Sequence, residues 1–241
     1  RVAELVEKHV NINRLLELTK PVATAVVPIS AGRHTYKREP SFPIAVACDP
    51  AFNFVYEANI RYLHHLGEVT YFSPLADTSL PDAGFVYLPG GYPELYLAAL
   101  SANRQMLQSI RRYVESGGKL LAECGGMMYL CDEIRDKNGY VYPMAGVLHQ
   151  SATMENMKLR LGYRTLLYNE TRLKGHEFHY SRLVEQQNPL PSCAVAYTAK
   201  GVETDTPLYH YKNVWAGYTH LYWADPVGNE WFTKFVIDGN T

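Results

Sequence analysis

The sequence predicts an α/β fold: an open, mostly parallel sheet with helices on both faces. Between Ile44 and Glu123, four short apolar runs, "IAVAC", "EVTYF", "GFVYL" and "KLLAE", have the length and texture of buried parallel strands. Two amphipathic segments lie among them, "YEANIRYLHHLG" and "NRQMLQSIRRYVESGG", each closed by glycine as a helix is. Strands and helices alternating at this spacing imply right-handed crossovers. Composition agrees. The 241 residues are 47% hydrophobic and 20% charged, enough to bury one large core or two small ones.

Taken in order, residues 1–20 read as two short amphipathic helices. Val2, Leu5, Val6 and Val10 share one face, and Leu15, Leu16 and Leu18 form a second apolar cluster. Pro21, Pro28, Pro40 and Pro43 then punctuate a stretch that reads as a linker. The expected division is residues 1–41, the tail of an upstream domain plus linker, and residues 42–241, the α/β domain. Arg1 stands where a complete chain would begin with Met, which fits a piece of a longer protein. After the four strands, "KLRLGYRTLLY", "GHEFHYS", "CAVAYT" and "VWAGYTHLYW" are rich in strand formers and are expected to complete or flank the sheet. "NEWFTKFVID" reads as a closing helix.

Several function classes fall away. The formal net charge is −1, with Lys and Arg scattered, which does not suit a nucleic-acid surface. No apolar run reaches the roughly 18–20 residues of a membrane span, and the charged N-terminus is not a signal peptide. Cys48, Cys124, Cys131 and Cys193 contain no C-x-x-C pair, and the chain reads as reduced and cytoplasmic. No G-x-x-x-x-G-K-[ST] occurs, so no P-loop is expected.

In an open α/β sheet, ligands bind beyond the carboxyl ends of the strands. Two strand ends carry glycine pairs, Gly90-Gly91 and Gly125-Gly126, and Cys124 precedes the second pair in "KLLAECGGMMYL". A cysteine on a sharp strand-to-helix turn would meet the helix N-terminus, where a thiol pKa falls from about 8.5. The N–H groups of Gly125 and of the Gly90-Gly91 turn could then form an oxyanion hole. The competing reading is a small buried hydrophobe, the expectation for Cys48, Cys131 and Cys193. His220, in "AGYTHLYW", is either the base for the thiol or a core histidine. His176 and His179 in "GHEFHYS" suggest metal, but three positions apart on a strand they face opposite sides, so no metal site is expected. With Gly90, Tyr92 and Tyr180 they are candidates for the rim of a substrate pocket.

"FPIAVACDPAFNFVYEANIRYLHHLGEVTYFSPLADTSLPDAGFVYLPGGYPELY", "AECGGMMYL", "GHEFHYS" and "AGYTHLYW", in this order, resemble the glutamine amidotransferase half of the cobyrinic acid a,c-diamide synthases. The resemblance runs from Phe42 to the C-terminus. It implies a class I glutamine amidotransferase fold, flavodoxin-like, with Cys124 as nucleophile, His220 as base and Gly91 and Gly125 as oxyanion donors. It also implies glutamine as substrate and an upstream synthetase domain in the same chain, using ATP and Mg²⁺ to activate carboxylates of a corrinoid. No cofactor is expected in residues 1–241 themselves. Two positions depart from the wider pattern: Tyr222 stands where many such enzymes carry the glutamate that orients the histidine, and Met128 where many carry a substrate-touching glutamine. A free-standing cysteine hydrolase of the same fold and a non-catalytic tetrapyrrole-binding module are the alternatives.

Overall fold

The structure, a computed structural model, describes residues 1–19 and 42–238. The expected linker lies almost wholly outside the described residues. The chain divides into two units, Arg1–Glu39 and Pro40–Thr241. In the first, α1 (Val2–His9) and α2 (Ile12–Leu18) form where two amphipathic helices were expected. The Asn11 side chain caps α2, accepting from the Arg14 N–H at 3.0 Å.

The second unit is built on a six-stranded sheet. Its first half contains β1 (Phe42–Ala47), α3 (Glu57–Leu66), β2 (Gly67–Phe72), β3 (Phe85–Leu88), α4 (Leu97–Ala102), α5 (Arg104–Glu115), β4 (Lys119–Glu123) and α6 (Gly125–Leu130). β1 lies between β2 and β3, and β4 lies outside β3, all parallel. All of β3 and most of β1 and β4 are buried, which is why their sequences run apolar instead of alternating. α5 covers the sheet with Met106, Leu107, Ile110 and Val114, the i, i+1, i+4, i+8 stripe of an amphipathic helix. Burial of each side chain contributes roughly 1.5–3 kcal/mol.

The second half completes the sheet with two strands, as expected, and puts the others into two separate sheets. It contains β5 (Glu133–Arg135), β6 (Val141–Pro143), β7 (Ser151–Thr153), β8 (Arg160–Tyr168), β9 (Thr171–His179), β10 (Arg182–Leu183), β11 (Val195–Thr198), β12 (Glu203–Thr204), β13 (Leu208–Tyr211), β14 (Val214–Gly217) and β15 (His220–Leu221). Only β14, parallel beside β4, and β13, antiparallel at the edge, join the main sheet. The main order is therefore 2-1-3-4-14-13, the flavodoxin-like order with one added edge strand. Strands β12, β11, β8, β9 and β15 make a separate antiparallel sheet, and β10, β7, β5 and β6 a third. The physical reason lies in β9, where burial alternates along the strand as in a sheet packed on one face only. Its hairpin with β8 turns at Asn169-Glu170, whose φ values of 42° and 66° suit a two-residue primed turn. The closing helix starts earlier than expected, as α7 (Pro226–Thr233), because Asp225 caps it by accepting from the Gly228 N–H at 2.7 Å.

All four cysteines are free. Cys131 is buried and Cys193 half-buried, but Cys48 is exposed, because β1 ends one residue earlier. The core reading of Cys48 is thereby corrected.

Candidate active site

Cys124 occupies the single residue between β4 and α6, with φ 48° and ψ −107°. An L-residue is strained there, and such strain persists only where the surroundings enforce it. Here the Cys124 N–H donates to the Gly217 carbonyl of β14 at 2.8 Å, and the Met128 N–H donates to the Cys124 carbonyl at 3.0 Å. The glycines that follow are required by contact. A Cβ on Gly126 would lie 2.1 Å from the Leu88 carbonyl oxygen, because α6 packs directly on the end of β3. One on Gly125 would lie 2.7 Å from Pro93 and 3.0 Å from the Gly91 carbonyl oxygen, so the two glycine turns adjoin. Gly91 itself has no room for a Cβ, which would fall 2.1 Å from the Ala51 carbonyl oxygen.

His220 comes from the other sheet. The chain leaves β14, turns through Tyr218-Thr219, and enters β15, where His220 pairs with His176 of β9. The His176 ring stacks on the His220 ring, centroids 5.0 Å apart and planes 20° from parallel. Phe54 meets His220 edge-on at 4.5 Å. Gly90 approaches so closely that a Cβ there would lie 2.0 Å from His220 Cε1. His220 Nδ1 is buried and has no hydrogen-bond partner among the described residues. Neither the Tyr222 hydroxyl nor a backbone carbonyl takes the place of an orienting carboxylate. Tyr222 packs its ring edge-on against Tyr56, centroids 5.6 Å apart.

Glu123, just before the cysteine, is fully buried, and its carboxyl group accepts from the Tyr87 hydroxyl at 2.7 Å and the Leu221 N–H at 3.0 Å. The residue preceding Cys124 is therefore tied to the residue following His220. Burial pushes the Glu123 pKa up to about 8, with those two hydrogen bonds opposing. Burial likewise pushes the Cys124 thiol up to about 12, with Glu94 adding and the Gly125 N–H opposing. The thiolate expected from the helix N-terminus is corrected: α6 has six residues, and desolvation outweighs it. His220 is pushed down to about 3, first by burial, then by His176 and His179. The resting groups are a neutral thiol and a neutral imidazole.

Cys124, His220, Gly91, Tyr92 and His176 line one cavity of about 330 Å³, with Phe54, Leu161 and Phe178. The Cys124 thiol points at the Phe178 carbonyl, 3.9 Å away. Of the expected rim residues, Gly90 packs against the His220 ring without lining this cavity, and His179 and Tyr180 lie elsewhere. His179 faces the opposite side of β9, stacked on Tyr218 at 3.8 Å in a second cavity with Ser181 and Arg160. Tyr180 is exposed, its ring against Phe178. Buried Met128 accepts from the Ser181 hydroxyl at 3.2 Å and lines neither cavity. Sequence reasoning missed Phe54, Tyr56 and Glu123. For the two aromatics, the run "FNFVY", separated by four residues from the carboxyl end of β1, was the available signal.

Residues 43–227 match the family profile described as the CobB/CobQ-like glutamine amidotransferase domain. The chain belongs to this family. Among curated members it is 37% identical over 235 residues to the cobyrinate a,c-diamide synthase of Picrophilus torridus, an alignment covering 92% of this chain and 49% of that protein. It is 40% identical over 185 residues to the hydrogenobyrinate a,c-diamide synthase of Pseudomonas aeruginosa, covering 74% of this chain and 41% of that protein. The chain thus spans about half the length of the curated relatives it matches. Among solved structures, a glutamine amidotransferase superposes with TM-score 0.52 at 17% identity, over 80% of this chain and 98% of the other. PurLQS from Thermotoga maritima superposes with TM-score 0.52 at 16% identity, over 82% and 96%. At such identities the likeness speaks to fold, which is that of the class I glutamine amidotransferases. This CobB/CobQ-like domain therefore combines a class I scaffold with a histidine whose Nδ1 bonds to no carboxylate among the described residues.

Proposed function

We propose that this chain is the glutaminase half of an ATP-dependent amidoligase of cobalamin biosynthesis. On this reading Cys124 Sγ attacks the side-chain amide carbon of glutamine. His220 accepts the thiol proton as the S–C bond forms and returns it to the leaving nitrogen, so that ammonia departs and a γ-glutamyl thioester remains. Water, activated by the same imidazole, then releases glutamate and restores the thiol. The N–H groups of Gly91 and Gly125, brought together by the two turns, are assigned to the carbonyl oxygen as it takes up negative charge. The observation that carries the reading is the strained Cys124 turn opening into the cavity that His220 also lines.

The acceptor chemistry belongs to the longer protein. By analogy with the named relatives, the ammonia would amidate the a and c carboxylates of cobyrinic acid or a close tetrapyrrole analogue. ATP and Mg²⁺ would be held by the half that lies outside this chain, and residues 1–41 would be its tail and linker. In the full-length protein, Cys124→Ala should abolish amidation from glutamine and leave amidation from added ammonia intact. Glutamine-dependent product at the wild-type rate would overturn the assignment.

A further inference from the structure

We infer that His176, held by Tyr56, is the positioning residue that fixes the His220 imidazole by stacking. The inference rests on the glutaminase reading and names the part that orients its base.

A histidine base must present one ring nitrogen to the sulfur, and something must stop the ring from turning. The usual means is a hydrogen bond to the other nitrogen. His220 lacks one: its Nδ1 is buried without a partner among the described residues. Contact takes its place. The His176 ring lies nearly parallel at 5.0 Å, Phe54 closes an edge at 4.5 Å, and the Gly90 backbone sits too close for a Cβ. Of the two rings, that of His176 has a polar anchor of its own. Its Nδ1 is hydrogen-bonded to the Tyr56 hydroxyl, and the two rings meet edge-on at 5.8 Å. Tyr56 stays protonated, its pKa pushed up to about 12 by burial and then by Glu123. The inference gives Tyr56 the donor's part toward Nδ1, which puts the His176 proton on Nε2 and keeps the ring neutral.

Neutrality matters because His220 becomes cationic when it takes the thiol proton. A second cation stacked on it would oppose that step. The groups around the pair allow it. His176 faces Tyr56, the ring of Phe54, and Tyr163 across from it on β8. Neighbouring Glu177 is engaged by Arg164 at 2.7 Å. His220 faces His176, with Cys124 in the same cavity, His179 nearby, and Glu123 bonded to the next residue.

The test compares glutamine hydrolysis by full-length wild type, His176→Ala, His176→Phe, Tyr56→Phe and Cys124→Ala, with circular dichroism confirming that each folds. Misplacing a reacting group by about 1 Å can cost about 100-fold. His176→Ala should therefore lower kcat by about that factor with KM for glutamine nearly unchanged, and His176→Phe, which keeps a flat ring, should recover most of it. Tyr56→Phe removes the donor to Nδ1, eases protonation of His176, and should move the acid limb of the kcat profile to higher pH. Unchanged kcat in His176→Ala, a rise in KM instead, or a His176→Phe as damaged as the alanine variant would overturn the inference. An unmoved acid limb in Tyr56→Phe would overturn the part given to Tyr56. Hydrolysis that survives Cys124→Ala would sink the glutaminase reading itself, which keeps the two failures distinct.

Discussion

At Cys124 and His220 the electrostatics run against the common picture of a cysteine enzyme resting as a thiolate–imidazolium pair. Desolvation raises the thiol to about 12 and lowers the imidazole to about 3, so the uncharged pair is strongly favoured at neutral pH. On the proposed mechanism, proton transfer accompanies attack on the substrate, when the growing charge has the assigned backbone N–H groups to meet it. This puts the demand on ring placement and little demand on Tyr222. Tyr222→Phe is expected to leave the glutaminase rate within a few fold, because among the described residues the hydroxyl makes no hydrogen bond to His220 Nδ1 and the ring packing on Tyr56 survives. His220→Ala should lose about 10²- to 10⁴-fold, the usual contribution of a general base. Steady-state rates decide it: a hundredfold loss in Tyr222→Phe would make the hydroxyl part of the machinery.

Among elements, the joint between β4 and β15 is made by Glu123. The folded protein holds the Glu123 proton up to about pH 8, whereas the unfolded chain releases it near 4.5. Between those values the native state binds more protons, so this contribution to stability is full below about pH 4.5 and is lost as pH rises toward 8. The melting-temperature advantage of wild type over Glu123→Gln should therefore shrink between pH 5 and 8. His220 titrates in the opposite sense but is present in both proteins and cancels. A difference that stays flat with pH would show that Glu123 carries no raised pKa. The sequence made β1 to β4 legible, because strands buried on both faces read as unbroken apolar runs bounded by glycine. It made the Cys124 turn legible too, since few other arrangements need glycines in that place. The role of Glu123 was not legible, for its partner, the Leu221 N–H, is 98 positions away. The separate antiparallel sheet was not foreseen, because strand formers announce a strand and not which sheet it joins.

Across the whole molecule, the candidate residues fall on both sides of a boundary that local patterns do not report. His176 and His179 were correctly expected on opposite faces of one strand, but only the tertiary arrangement decides which face meets the cysteine. Cys124 stands at the end of the parallel sheet and His220 on the antiparallel one, with only Tyr218-Thr219 between β14 and β15. The proposed reacting pair thus spans two slabs, like a latch whose halves meet over one cavity only while the slabs are docked. Each slab keeps its own ladder of backbone hydrogen bonds and can outlast the latch. Heating should accordingly extinguish glutamine hydrolysis at a lower temperature than it melts the strands, with activity and far-ultraviolet circular dichroism giving separate midpoints. Coincident midpoints would mean that the slabs part only when they dissolve. If the midpoints separate, any force that slides one slab over the other, such as a partner pressing on the antiparallel face, would govern the reaction without touching the cysteine.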